Sequence, residues 1–193
     1  ENQHEDAKTI FQFILDNSTD PQLHLEAYDF LLSSRIENAL PNEYQEIYSS
    51  LNNVLGNYHQ NPYLTKIVLL TARFEAFYLN NSGAAKKRLN DYLNNPLNTR
   101  EQAKVKMELA DIMVYDEKFN QAILYYAQVE DNLKNDVLAH KASLKLAKAN
   151  FYKKDFDWTL QQVKVLKQSP SLLIANDAIE MFLLIQDNSA EDS

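Results

Sequence analysis

Apolar residues recur at helical spacing almost from one end of the chain to the other. Ala7, Ile10, Phe11 and Ile14 form the first stripe. Asp20-Pro21 opens a second segment, with Pro in the first turn where its missing donor costs nothing, and its stripe is Leu23, Ala27, Phe30, Leu31 and Ser34. Pro41 opens a third, with Tyr44, Ile47, Tyr48, Leu51 and Leu55, and Gly56 lies near its end. Asn61-Pro62 opens a fourth through Ile67, Leu70, Phe74, Phe77 and Tyr78, and Asn81-Ser82-Gly83 breaks it. A short fifth carries Ala85, Leu89 and Tyr92. Thr99 and Gln102 have the spacing of a capping box for a sixth, with Val105, Leu109, Ala110 and Ile112. A turn near Glu117 leads to a seventh, and Asp136, Asp155 and Pro170-Ser171 open an eighth, ninth and tenth. No segment sustains period-two alternation, so the pattern predicts ten helices, no strand and antiparallel neighbours joined by short turns.

The pattern repeats. A step of 37 carries Leu109 onto Leu146, Ala110 onto Ala147, Tyr115 onto Tyr152, Phe119 onto Phe156 and Ile123 onto Leu160. The same step backwards carries Ala122 onto Ala85, Tyr126 onto Leu89 and Tyr115 onto Tyr78. A step of 36 carries Ala139 onto Ala175 and Ala142 onto Ala178. Large residues fall on large and small on small, as in a stack of helix pairs. A small residue in the first helix lets the second approach, and the aromatic that starts the second fills the space beside that contact. No pair buries both its faces alone, so stability comes from stacking.

Leu109-Ala110, Phe119, Ala122-Ile123 and Tyr126 together resemble the signature of the tetratricopeptide-repeat (TPR) family. The next copy keeps Leu146-Ala147 and Phe156 and departs at Thr159 and Val163. Each unit is longer than the family's, Lys106 stands where an early aromatic is common, and the style is similar to repeat arrays of bacterial cell-envelope proteins. The resemblance implies an all-α, right-handed superhelical stack of antiparallel helix pairs. The array is expected over residues 1–188 as one domain, with its best repeats at 98–134 and 135–170, ahead of an acidic tail at 189–193; the match is good over 98–168, weaker over 62–97 and only architectural over 3–60. The resemblance also implies a protein-interaction scaffold that takes a peptide or protein on the inner face of the first helices. The family's inner-face positions fall on Lys104, Met107, Asp111 and Val114, then on Lys141, Leu144, Lys148 and Phe151. A weaker alignment adds Phe74, Phe77 and Tyr78. The Lys, Arg and Asn set with which family members clamp a terminal carboxylate is not reproduced. The alternative is a structural segment that stacks on further repeats and has no separate ligand.

Composition narrows the function classes. The 193 residues include 2 Gly and 5 Pro, which suits helices joined by short polar turns. A net charge of −8 argues against nucleic acid, where phosphate contacts need a basic face, and against an anionic membrane surface. No apolar run reaches the roughly 18 residues of a membrane span, so direct insertion is not expected. With no Cys, thiolate chemistry is out. His4, His24, His59 and His140 are too dispersed for a metal site, and no glycine-rich phosphate loop or nucleophile elbow occurs. No catalytic residue, metal or cofactor is therefore expected. Lys86-Lys87-Arg88 reads as a solvated helix face.

The chain starts at Glu1 without an initiator Met, which reads as a processed or excised segment whose compartment, cytoplasm or cell envelope, is not written in it. The tenth helix is apolar round most of its circumference, with Leu173, Met181 and Leu184 among its large residues. That predicts an exposed interface, covered by a continuation of the parent chain, by self-association or by a bent-back tail.

Overall fold

The computed structural model describes residues 2–59, 61–134 and 136–190, with side chains from residue 5 to residue 187. The expected tail residues Glu191, Asp192 and Ser193 lie outside the described residues. All regular structure among the described residues is helical. The α-helices are α1 (Asn2–Asn17), α2 (Pro21–Glu37), α3 (Tyr44–Asn57), α4 (Thr65–Arg73), α5 (Ser82–Leu93), α6 (Thr99–Tyr115), α7 (Phe119–Asn132), α8 (Val137–Tyr152), α9 (Phe156–Leu166) and α10 (Leu172–Ala190). None of them is long and apolar enough to cross a membrane.

Most helix starts follow the sequence chemistry. Asp20, Asp136 and Asp155 each accept a backbone N–H of the first turn, satisfying donors that have no partner inside the helix. Two starts differ from expectation. The sixth helix is capped by Asn98, whose side chain accepts from Glu101 N at 2.9 Å, one residue before the predicted Thr99 and Gln102 box. The fourth begins at Thr65, because Asn61 first makes a turn by accepting from Tyr63 N with its side chain. Pro41–Glu43 is a short 3-10 turn leading into α3, which runs through Gly56 to Asn57.

The chain divides into two compact units, residues 1–96 and 97–193. In the first unit α1 packs on α2, α2 and α3 both pack on α4, and α4 packs on α5. Phe11 stacks on Phe30 at 4.5 Å between ring centroids, joining α1 to α2. His24 is structural: Nε2 donates to the Ser18 carbonyl at 2.8 Å and Nδ1 pairs with the Tyr58 hydroxyl at 2.7 Å.

In the second unit α6 and α7 form one antiparallel pair, α8 and α9 the next, and α10 packs on α9 and α8. Two apolar clusters build its core. Met107, Ala110 and Met113 of α6 meet Ala122, Tyr126 and Val129 of α7 and Ala142, Leu146 and Ala149 of α8. Leu144 and Ala147 of α8 meet Val163 and Leu166 of α9 and Ile174, Ala178, Met181 and Ile185 of α10. The helix α8 belongs to both.

The turns inside the pairs repeat as the apolar pattern does. Asn80, Glu117 and Lys154, 37 residues apart, are the non-glycine residues with positive φ among the described residues, at 50°, 59° and 67°. The next residue in each case, Asn81, Lys118 or Asp155, is the N-cap of the second helix. Its N–H closes the turn: Lys118 N donates to Met113 O at 2.7 Å and Asp155 N to Asn150 O at 2.9 Å, both spanning five residues. In the first unit Asn81 N reaches Glu75 O, six residues back, at 2.8 Å. The extra residue sits in a π-helical turn, Phe74–Tyr78, where Leu79 N donates to Phe74 O at 3.0 Å. Upstream of it the repeat step is therefore 38. That places Ala72 on Ala110, both fully buried, and explains why the apolar match weakens there.

The left-handed turn residues give a direct test. A β-branched side chain in this conformation is strained, whereas glycine is at ease. Glu117→Val and Lys154→Val should each be less stable than the matching Gly variant by about 1–2 kcal/mol in denaturant unfolding. Equal stability of the Val and Gly variants would contradict the assigned turn.

Candidate functional site

The surface offered by the first helices of the second unit can be built residue by residue. Along α6 it carries Lys104, Asp111 and Tyr115, and along α8 it carries Lys141, Lys145, Lys148 and Tyr152. The two tyrosines are more than half exposed, Lys141 is exposed, and Lys104, Asp111, Lys145 and Lys148 are half-buried. Tyr126, buried on α7, donates through Oη to Asp111 Oδ1 at 2.5 Å, and Lys145 Nζ bonds the other oxygen of the same carboxylate. Burial, with the Asp111 carboxylate beside it, holds the Tyr126 phenol far above its ordinary pKa, so it remains a donor. One helix on, Lys148 Nζ donates to Asp177 Oδ2 of α10 at 3.0 Å. These two links tie α6, α8 and α10 edge to edge and hold the face they share in one arrangement.

At the start of these helices Arg100 pairs with Asp136, the cap of α8. The Asp136 carboxyl lies below its usual range, chiefly because it accepts from Leu138 N and then because of the Arg100 guanidinium. At the other end Phe151 meets Phe156 edge-on at 5.5 Å, and Tyr152 lies 6.2 Å from Phe119.

The predicted inner-face residues divide by environment. Lys104, Asp111, Lys141 and Lys148 reach the surface, while Asp111 and Lys148 are occupied by the links just described. Val114 and Phe151 are half-buried at its edge. Met107 and Leu144 are buried core residues of the two apolar clusters, which corrects their placement on an open face. In the first unit Phe74 is fully buried, also a correction. The π turn shifts it onto the position of Ile112, itself fully buried, and away from that of Asp111. Phe77 and Tyr78 are partly exposed, and Tyr78 stacks on Phe74 at 5.2 Å. Met181, expected on the exposed patch, is buried against α8 and α9, whereas Leu173 and Leu184 are exposed.

Three features escaped the sequence reading. Lys145 and Asp177 complete the polar links, and only the folded register reveals their partners. A groove of about 670 Å³ opens in the first unit, lined among others by Lys8, Gln12, Tyr28, Arg35 and Asn57. Arg88, read with Lys86 and Lys87 as solvated, is largely withdrawn from water. Its Nε and Nη2 donate to the two oxygens of Glu75 at 3.0 and 2.7 Å, and Tyr48 Oη donates to Glu75 at 2.7 Å. Burial alone would lower the Arg88 pKa, but the Glu75 carboxylate outweighs it and the guanidinium stays charged. Lys87 of that run makes a simple surface pair with Asp91 at 2.6 Å.

Among the described residues no group of three or more His, Cys, Asp or Glu side chains is placed to hold a metal ion. In comparisons with known proteins, no family model and no curated protein matches the chain.

The Glu75 site makes a clear prediction. Arg88→Met strands a buried carboxylate and should cost about 3–5 kcal/mol in equilibrium unfolding. Combining it with Glu75→Met and Tyr48→Phe should recover most of that loss, since an apolar replacement leaves no unmet charge. A single Arg88→Met variant that loses less than about 1 kcal/mol would mean that water reaches Glu75 freely.

Proposed function

We propose that this chain is a protein-interaction scaffold of tetratricopeptide type, a right-handed superhelical stack whose first helices present a partner-binding face. The observation that carries the reading is the recurrence of one turn: a left-handed residue at 80, 117 and 154, each followed at the next position by the start of a second helix. A repeated pair geometry supports a scaffold because it lines up equivalent side chains of successive first helices.

In the second unit that alignment brings Lys104 and Lys141 onto the same face as Tyr115 and Tyr152. The partner is a peptide or protein segment whose carboxylates meet the lysines and whose apolar groups lie on the tyrosines. Asp111, Tyr126, Lys145, Lys148 and Asp177 have a positioning role, because they fix the helices that carry these groups. The exposed apolar side chains of α10 favour a second reading, in which the chain is a structural segment that stacks on further helices.

Site-specific photocrosslinking separates these readings. A crosslinking amino acid at Lys104 or Lys141 should trap a protein partner in an extract of the source cells. The same group at Leu124 or Val165, exposed on second helices, should trap little. Lys104→Glu and Lys141→Glu should each weaken capture about three- to tenfold, as rim charges do. Crosslinks spread evenly over both sets, or confined to Leu124 and Val165, would contradict the assigned face.

A further inference from the structure

The α10 helix occupies the place of a first helix but offers a different face to whatever follows it. A 37-residue step relates Met107, Ala110 and Val114 to Leu144, Ala147 and Phe151. In α6 and α8 these residues belong to the clusters formed with the next two helices. The 36-residue step that carries Ala142 onto Ala178 takes the second set to Glu180, Leu183 and Asp187. The register is secure, because Ala178 and Ile185 are buried as Ala142 and Ala149 are. Where two earlier helices present apolar groups, α10 therefore presents a carboxylate, a leucine and a carboxylate.

Helical geometry arranges the surroundings of this line. Leu172, Ile179 and Leu183 run along one side of Glu180 and Asp187, Leu184 lies on the other, and Leu173 continues the carboxylate line one step of seven before Glu180. Leu172 is 80% exposed and Leu173 70%, values no packed first-helix leucine approaches. Neither Glu180 nor Asp187 forms an ion pair among the described residues. From Leu172 to Ala190 the helix has no Lys or Arg.

We infer that this face docks a basic amphipathic helix of a partner protein, with Lys or Arg over Glu180 and Asp187 and apolar side chains over Leu172, Leu183 and Leu173. Charge decides the occupant. A second copy placed about a two-fold axis would set these carboxylates against themselves. An apolar helix would bury them without a counter-charge. A helix with a basic line between apolar residues meets both requirements. The inference rests on α10 alone and stands whether or not Lys104 and Lys141 take a peptide.

The test uses the intact chain and two synthetic helices, one of Leu and Lys and one with Glu at every Lys position. Fluorescence anisotropy should give salt-sensitive binding of the Leu/Lys peptide and at least tenfold weaker binding of the Leu/Glu peptide. Glu180→Lys and Leu183→Asp should each weaken Leu/Lys binding about tenfold. Asp131→Lys, an equal charge change on the exposed end of α7, should change it less than twofold. Circular dichroism and the thermal midpoint check that the variants fold; Leu183→Ser replaces Leu183→Asp if the latter melts early. Equal losses from Asp131→Lys and Glu180→Lys would mean attraction to net charge alone and would overturn the inference. So would an unaffected Leu183 variant, or a dimer in light scattering that Leu183→Asp dissolves.

Discussion

Each helix pair has apolar groups on two faces and can cover only one of them by itself. The rest of the second unit follows from that constraint. Tyr126 fills the contact between α6 and α7 but is fully enclosed only with Ala142, Leu146 and Ala149 of the next helix. Leu144 and Ala147, on the other side of that helix, need α9 and α10. Thus α8 is buried from both directions, and small residues permit it: Ala139, Ala142, Ala147 and Ala149 let four neighbours approach. Burial of this kind contributes about 25 cal/mol per Å² of apolar surface, which makes stacking the main stabilising term.

Polar groups enter this scheme as fasteners between adjacent elements. Asp111 accepts from a buried tyrosine and a neighbouring lysine at once, so its carboxylate reports the registry of α6, α7 and α8 together. Glu75 has the corresponding task in the first unit, with Arg88 and Tyr48 as its donors. Both carboxylates are near the end of a first helix, and both join helices distant in sequence. Surface ion pairs of the Lys87–Asp91 type contribute far less, because water competes for both partners.

Much of the fold was legible in the sequence, and the exceptions have physical causes. Ten helices and most of their starts follow from periodicity and from Asp20, Asp136 and Asp155, since a short polar side chain before an apolar stripe has few other uses. The π turn at Phe74–Tyr78 left no such mark. One added residue barely alters an apolar stripe, yet it rotates everything upstream, and so Phe74 was read onto an open position. Met107 and Leu144 were misplaced for another reason. A first helix stacked on both sides has a narrow open edge, and a family alignment does not say how narrow. Lys104, Lys141 and Lys148, which the same alignment names, reach water, as long charged side chains generally do. The partners of Asp111 and Arg88 were not legible, since they depend on which helices lie side by side.

Stability in the second unit passes from helix to helix through α8. Native-state hydrogen exchange measures it element by element. The amides of α8 should open last, with free energies near that of global unfolding. Those of α7 and α9 should follow, and those of α10 should exchange well before them, because only one side of α10 is packed. Protection of α10 equal to that of α8, or an α8 that opens while α7 and α9 stay closed, would contradict it.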